Sequence, residues 1–139
     1  MRNIVIIFVT AFYVLGCDED STTPQNTCND VIVSSEQYNN SQTDDFTLTD
    51  VVSENECLKI SLRYGGGCKE VTASLIDSED VIETDPIQRN LKIVFADDDE
   101  CEALVEKSFY FEISNLQINN EKEVLLNFEG SSLTFLYEY

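Results

Sequence analysis

"CLKISLRYGGGCKEVTASL", residues 57–75, decides the fold class. Leu58, Ile60, Leu62 and Tyr64 alternate with Lys59, Ser61 and Arg63. Beyond the glycines, Val71, Ala73 and Leu75 alternate with Glu70, Thr72 and Ser74. Successive side chains of a strand point to opposite faces, so period two means one buried face and one wet face. Gly65-Gly66-Gly67 separates the two runs and reads as a hairpin loop, because glycine tolerates positive φ.

The same period continues outward. Leu91, Ile93 and Phe95 form one apolar set, and Phe109, Phe111 and Ile113 another. Val124, Leu126 and Phe128 follow, then Leu133, Phe135, Tyr137 and Tyr139. Two earlier candidate strands are Val31 to Ser34 and Phe46 to Val52. Turn signals stand between the runs at Asp97 to Glu100, Asn119-Asn120 and Gly130-Ser131-Ser132. Asp85-Pro86 marks an edge or a crossover, since proline cannot donate to a ladder. No segment after the first turns shows helical spacing over three turns. The pattern predicts an all-β domain over residues 30–139, an antiparallel β-sandwich of about eight short strands, with a barrel as the alternative.

The first residues have another character. Arg2 is followed by the apolar run Ile4 to Val14, eleven residues long. That suits the h-region of a signal peptide and falls short of the roughly 20 residues of a spanning helix. Val14-Leu15-Gly16-Cys17 then resembles the lipobox of bacterial lipoproteins. The resemblance implies a signal peptide over residues 1–16, cleavage before Cys17, and acylation of that thiol. Residues 17–29 then read as the lipidated Cys and a flexible tether rich in Ser, Thr, Pro and Asn. The acids directly after Cys17 resemble the surface-export signal of Bacteroidota lipoproteins, and Asp20-Ser21-Thr22 resembles the short O-glycosylation motif of that phylum. Together they imply an outer-membrane protein held to the membrane by its lipid, at the cell surface rather than on the periplasmic face.

Five cysteines in an exported chain leave one unpaired. Assigning Cys17 to lipid leaves Cys28, Cys57, Cys68 and Cys101, enough for two disulfides. If the strands run up and down in order, Cys68 and Cys101 each follow a turn at the same end of the sandwich. Cys57 begins its strand at the opposite end, within reach of Cys28. Bridged Cα atoms lie within about 7 Å, so this order predicts Cys68–Cys101 and Cys28–Cys57 and disfavours Cys57–Cys68.

Charge and composition exclude much else. The chain has 27 acidic and 8 basic residues, a net charge of −19. Such a surface repels nucleic-acid phosphates, which argues against DNA or RNA as a partner, and it attracts cationic partners. There is no histidine. Ser-His-Asp triads, Cys-His pairs and His-bearing zinc sites are therefore absent. No CxxC spacing indicates a thioredoxin-like site, and the glycines lack the Lys-Ser/Thr of a phosphate loop. The expectation is a protein that is not an enzyme and has no cofactor. The one weak metal candidate is the loop Asp97, Asp98, Asp99 and Glu100, whose carboxylates suit the oxygen preference of Ca²⁺. Its spacing is not that of an EF-hand, and four adjacent acids in a turn are more often a solvated loop.

"CLKISLRYGGGC" at 57–68, "DPIQRNLKIVF" at 85–95 and "CEAL" at 101–104 resemble the C-terminal β-sandwich of NigD-like proteins, small lipoproteins of the Bacteroidota. The chain departs from that pattern where a His is expected a few residues after the Gly-Gly-Cys. Here Lys69, Glu70 and Val71 follow Cys68. The 139 residues also leave no room for the N-terminal barrel domain of those proteins. The resemblance implies fold and location. Two roles fit: a binding or structural lipoprotein with a protein or glycan partner, or an immunity or inhibitor-type accessory lipoprotein that neutralises a cationic toxin or enzyme.

Overall fold

The computed structural model describes residues 27–139. The expected signal peptide, Cys17 and most of the expected tether lie outside the described residues. Nine strands, one short α-helix and a 3-10 turn at Ser114–Leu116 are described: β1 Asn29–Asp30, β2 Ile32–Val33, α1 Ser35–Asn40, β3 Thr47–Glu54, β4 Cys57–Gly66, β5 Thr72–Ile82, β6 Gln88–Ala96, β7 Ala103–Glu112, β8 Glu123–Phe128 and β9 Thr134–Glu138. They form two sheets, in the orders β1-β7-β4-β3 and β2-β5-β6-β8-β9. The fold is an all-β sandwich, and no barrel closes. Among the described residues no helix is long and apolar enough to cross a membrane.

The alternating residues build the core. Leu58, Ile60, Leu62 and Tyr64 of β4 meet Leu75, Leu91, Ile93 and Phe95 of the facing sheet, with Phe109, Phe111, Val124, Leu126 and Phe128. Phe95 is the aromatic centre, with ring centroids 4.8 Å from Tyr64, 5.9 Å from Phe46 and 6.4 Å from Phe109. Burial of this face supplies the driving force, at about 25 cal/mol for each Å² removed from water.

The connectivity differs from a simple up-and-down reading. β4 pairs with β7, and β5 pairs with β6, both antiparallel. Gly65 to Gly67 is therefore not a hairpin loop: Gly65 and Gly66 end β4, paired with Leu104 and Ala103 of β7, and Gly67 opens the crossing from one sheet to the other. Gly67 makes that crossing with φ of 106°, a conformation side chains resist. Asp97 to Glu100 forms the return crossing at the same end. Alternation reports which face of a strand is buried. It does not report which strand lies beside it, because both arrangements bury the same residues.

The sheets are also mixed rather than wholly antiparallel. β1 runs parallel to β7, β2 parallel to β5, and β6 parallel to β8. The candidate strand Val31 to Ser34 splits at Val31, which is buried while the chain passes from one sheet to the other and closes that side of the sandwich. The helix α1 follows. Ser34 Oγ accepts from the Gln37 N–H at 3.2 Å, an N-cap that satisfies one orphan donor. Six residues are too few to show a helical period in the sequence. Tight turns join β3 to β4 at Asn55-Glu56, where both φ angles are positive (52° and 68°), as a type I′ turn requires.

One buried group breaks the apolar pattern. Asp77 is fully buried and Arg89 is 13% exposed at its side chain. Asp77 Oδ1 accepts from Arg89 Nη1 at 2.8 Å and from the Glu79 N–H at 2.8 Å. Asp77 Oδ2 and Arg89 Nε are buried without partners. Burial raises the Asp77 carboxyl from its ordinary value, against the pull of the Glu79 amide and of Arg89. A half-satisfied buried pair adds little net stability, whereas removing one partner strands the other charge. Asp77→Ala is expected to cost about 3–5 kcal/mol in urea unfolding. The double change Asp77→Leu with Arg89→Met should cost less than either single substitution; a double cost equal to the sum would show that the two groups act independently.

Candidate functional site

Of the sequence-predicted site residues, Cys68, Cys101 and the acidic loop come together at the crossing end, Cys28 and Cys57 pair at the opposite end, and Cys17 lies outside the described residues. Cys68 and Cys101 are joined, with Cα atoms 6.1 Å apart, and Cys28 and Cys57 are joined at 5.9 Å. The acidic loop folds around the first of these bridges. Asp99 Oδ2 accepts from the N–H groups of Cys68 (2.5 Å) and Lys69 (2.8 Å), and its Oδ1 accepts from the Cys101 N–H (2.9 Å). These amides, with Cys101 foremost, hold the Asp99 carboxyl below its ordinary value. Asp97 Oδ1 accepts from the Asp99 N–H at 2.9 Å, and Lys69 Nζ donates to the Asp98 carbonyl at 2.7 Å. Asp97, Asp98, Asp99 and Glu100 do not converge as a set of carboxylate ligands. Among the described residues, the grouping of metal-ligating side chains is Cys68, Asp99 and Cys101. The Asp99 carboxylate ties the two crossings together, while the Asp98 and Glu100 side chains are exposed.

A second feature was not visible in the sequence. β8 runs beside β6 only from Gln88 to Leu91. There the Glu129 N–H donates to the Leu91 carbonyl at 2.8 Å, and the chain turns away at Gly130 (φ 75°). Four residues further along β6 the edge is capped again. The Asp44 N–H donates to the Phe95 carbonyl, and the Phe95 N–H donates to Thr43 Oγ1, both at 3.0 Å. Between these points lies a notch of about 740 Å³, bounded by residues 43–49 on one side and 129–133 on the other. Ile93 has the ladder parity of Leu91 and Phe95, so its N–H and C=O face the notch.

The notch is apolar within and acidic at its rim. Phe46, Leu48, Ile93 and Leu133 supply the apolar lining; Asp44, Asp45 and Glu129 supply carboxylates, with Lys92 as the single cation. Lys92 is already engaged. Its Nζ donates to the Tyr38 carbonyl at 3.0 Å and lies 4.0 Å from Glu129 Oε2. The Tyr38 phenol is pushed up to about 12, by burial first and by Glu129 next, and stays neutral at physiological pH. Asp44 Oδ2 accepts from the Asp97 N–H at 2.7 Å, which links the notch to the acidic loop. Three carboxylates against one occupied ammonium leave a negative field at the rim.

The class this defines is a two-sheet β-sandwich stapled at both ends, with an acid-rimmed notch at the edge of one sheet. No family model matches the chain, and no curated protein matches it. Solved structures do. A protein of unknown function, DUF1344, from Bacteroides vulgatus superposes with a TM-score of 0.55 at 12% identity, over 81% of this chain and 56% of that one. A NigD-like immunity protein from Bacteroides caccae superposes with a TM-score of 0.56 at 10% identity, over 80% of this chain and 64% of that one. The chain thus spans about three fifths of the length of the structures it matches. At such identities the likeness establishes a shared fold, in keeping with the NigD-like resemblance of residues 57–104.

Proposed function

We propose that this protein is a non-enzymatic binding protein of the bacterial envelope that holds an extended, cationic segment of a protein partner in the notch. The observation that carries this reading is the notch itself. An arginine or lysine side chain has an apolar stem and a charged head. Phe46, Leu48 and Leu133 suit the stem, and Asp44, Asp45 and Glu129 suit the head. The open ladder position at Ile93 suits a partner backbone, as in strand addition to a sheet edge. The chain's charge of −19 draws such a partner from a distance.

An immunity-type role, in which the partner is a cationic toxin or enzyme held inactive, fits this chemistry and is supported by the shared fold with a NigD-like immunity protein. Such a role requires presence at the envelope. The lipobox resemblance at Val14-Leu15-Gly16-Cys17 supports a lipid anchor on Cys17 and an outer-membrane location. Mass spectrometry of the mature protein is expected to find residue 17 at the N-terminus bearing acyl chains; an N-terminus elsewhere with an unmodified Cys17 overturns the anchor.

The binding reading is tested with a fluorescent peptide of alternating lysine and valine, followed by anisotropy. The triple change Asp44→Asn, Asp45→Asn, Glu129→Gln is expected to weaken binding about tenfold, or roughly 1.4 kcal/mol. Raising the salt from low to physiological should weaken wild-type binding as well. Affinity unchanged by both treatments would remove the notch from the account.

A further inference from the structure

The Cys68–Cys101 bridge sits in more ligand chemistry than a cross-link uses. The potential ligand atoms of Cys68, Cys101 and Asp99 all lie within 4.8 Å of one another. In the disulfide neither sulfur is a thiolate, so the oxidised chain offers a metal only one carboxylate here. Reduction changes the donor set to two thiols and that carboxylate. Soft thiolates select zinc-like ions, and zinc accepts bonds of about 2.3 Å to sulfur and about 2.0–2.2 Å to oxygen in a tetrahedron. Ligand atoms on such a tetrahedron are within the 4.8 Å spread already present.

Proximity after reduction does not depend on the sulfur bond. Asp99 accepts from Cys68 and Lys69 on one crossing and from Cys101 on its own, so it clamps the two crossings independently. The bond from Lys69 Nζ to the Asp98 carbonyl is a second clamp. A carboxylate has about four lone-pair positions. Amides occupy three of them in Asp99, which leaves one for a metal. Access also favours this bridge. Cys68 is exposed, whereas Cys57 of the other bridge is 1% exposed. Attack by a thiolate requires a reachable sulfur.

We propose that Cys68, Cys101 and Asp99 form a redox-gated binding site for a thiophilic divalent cation of the zinc class, closed by oxidation and opened by a dithiol reductant. In the opening step the reductant's two S–H bonds and the Cys68–Cys101 bond are exchanged for the reductant's own disulfide and two cysteine thiols. Metal binding then releases those two protons to solvent and forms two metal–sulfur bonds and one metal–oxygen bond, with water in the fourth position. The proposal does not rest on what the notch binds.

The test uses the full chain, treated with a limiting dithiol, desalted without oxygen, and titrated with Zn²⁺ by calorimetry and Cd²⁺ by thiolate-to-metal absorption. The remaining cysteines are controlled by alkylation and peptide mapping. Limiting reductant should expose Cys68 and Cys101 to alkylation before Cys28 and Cys57, and Zn²⁺ should protect that first pair. Asp99→Asn should weaken binding by roughly tenfold or more. Glu106→Gln, which changes only an exposed partner of Arg63 on β7, should leave it unchanged. The proposal is overturned if Zn²⁺ gives Cys68 and Cys101 no protection, or if the oxidised chain binds Zn²⁺ as tightly as the reduced one. Because protection is read on the wild-type chain, a folding defect in Asp99→Asn does not decide the outcome.

Discussion

Two chain crossings at one end of the sandwich must stay side by side, and the rest of the structure follows from that. β4 delivers the chain to the first crossing and β5 carries it into the other sheet; β6 delivers it to the second and β7 carries it back. Where the crossings meet, the pairing of β4 with β7 stacks directly over the pairing of β5 with β6. The Cys68–Cys101 bond and the Asp99 carboxylate tie that meeting point twice. A disulfide closing a loop of this size typically adds about 2–4 kcal/mol by restricting the unfolded chain. For a domain this small, that is a large part of total stability. The Cys28–Cys57 bridge does the same at the start of the described residues.

Much of this was legible in residues 57–75 and their echoes. Period two named most of the core side chains, because a half-buried strand must alternate to stay soluble on one face; in the last run Leu133 and Tyr139 are exposed and fall outside β9. Leu58, Ile60, Leu62, Leu75, Leu91, Phe95 and Phe111 are all in the core. The same logic failed for Gly65 to Gly67, since glycine permits a hairpin and a sheet crossing equally well. It also missed the parallel neighbours. β6 and β8 come together only because β7 has gone to the other sheet, and no local pattern encodes that detour. The cysteine pairing of the structure is nevertheless the one reached from strand direction. The ends at which Cys68 and Cys101 lie depend on strand direction, not on which sheet holds each strand.

The notch belongs to the illegible part for a plain reason. Its walls come from residues 43–49, 92–93 and 129–133, which share no motif. It exists because β8 leaves β6 at Leu91 and the Thr43-Asp44 segment rejoins the edge at Phe95. The Asp77–Arg89 pair was equally hidden, since a lone Asp in a strand pattern usually points to water. The acidic loop, by contrast, was visible as a cluster, but two of its carboxylates, Asp97 and Asp99, turn to backbone amides, while Asp98 and Glu100 stay exposed. A run of acids in a turn is thus a poor guide to a cation site until its hydrogen bonds are known. The shared fold with the Bacteroides structures places the architecture in known company. The chemistry has to come from the residues that differ.

The claim on which everything else rests is the pairing of crossings, and peptide mapping of the native protein under non-reducing conditions addresses it directly. Digestion without prior reduction should release one linked pair containing Cys68 and Cys101 and another containing Cys28 and Cys57. Recovery of Cys57 linked to Cys68, or of Cys28 linked to Cys68, would place the two crossings at different ends and contradict the sheet order described.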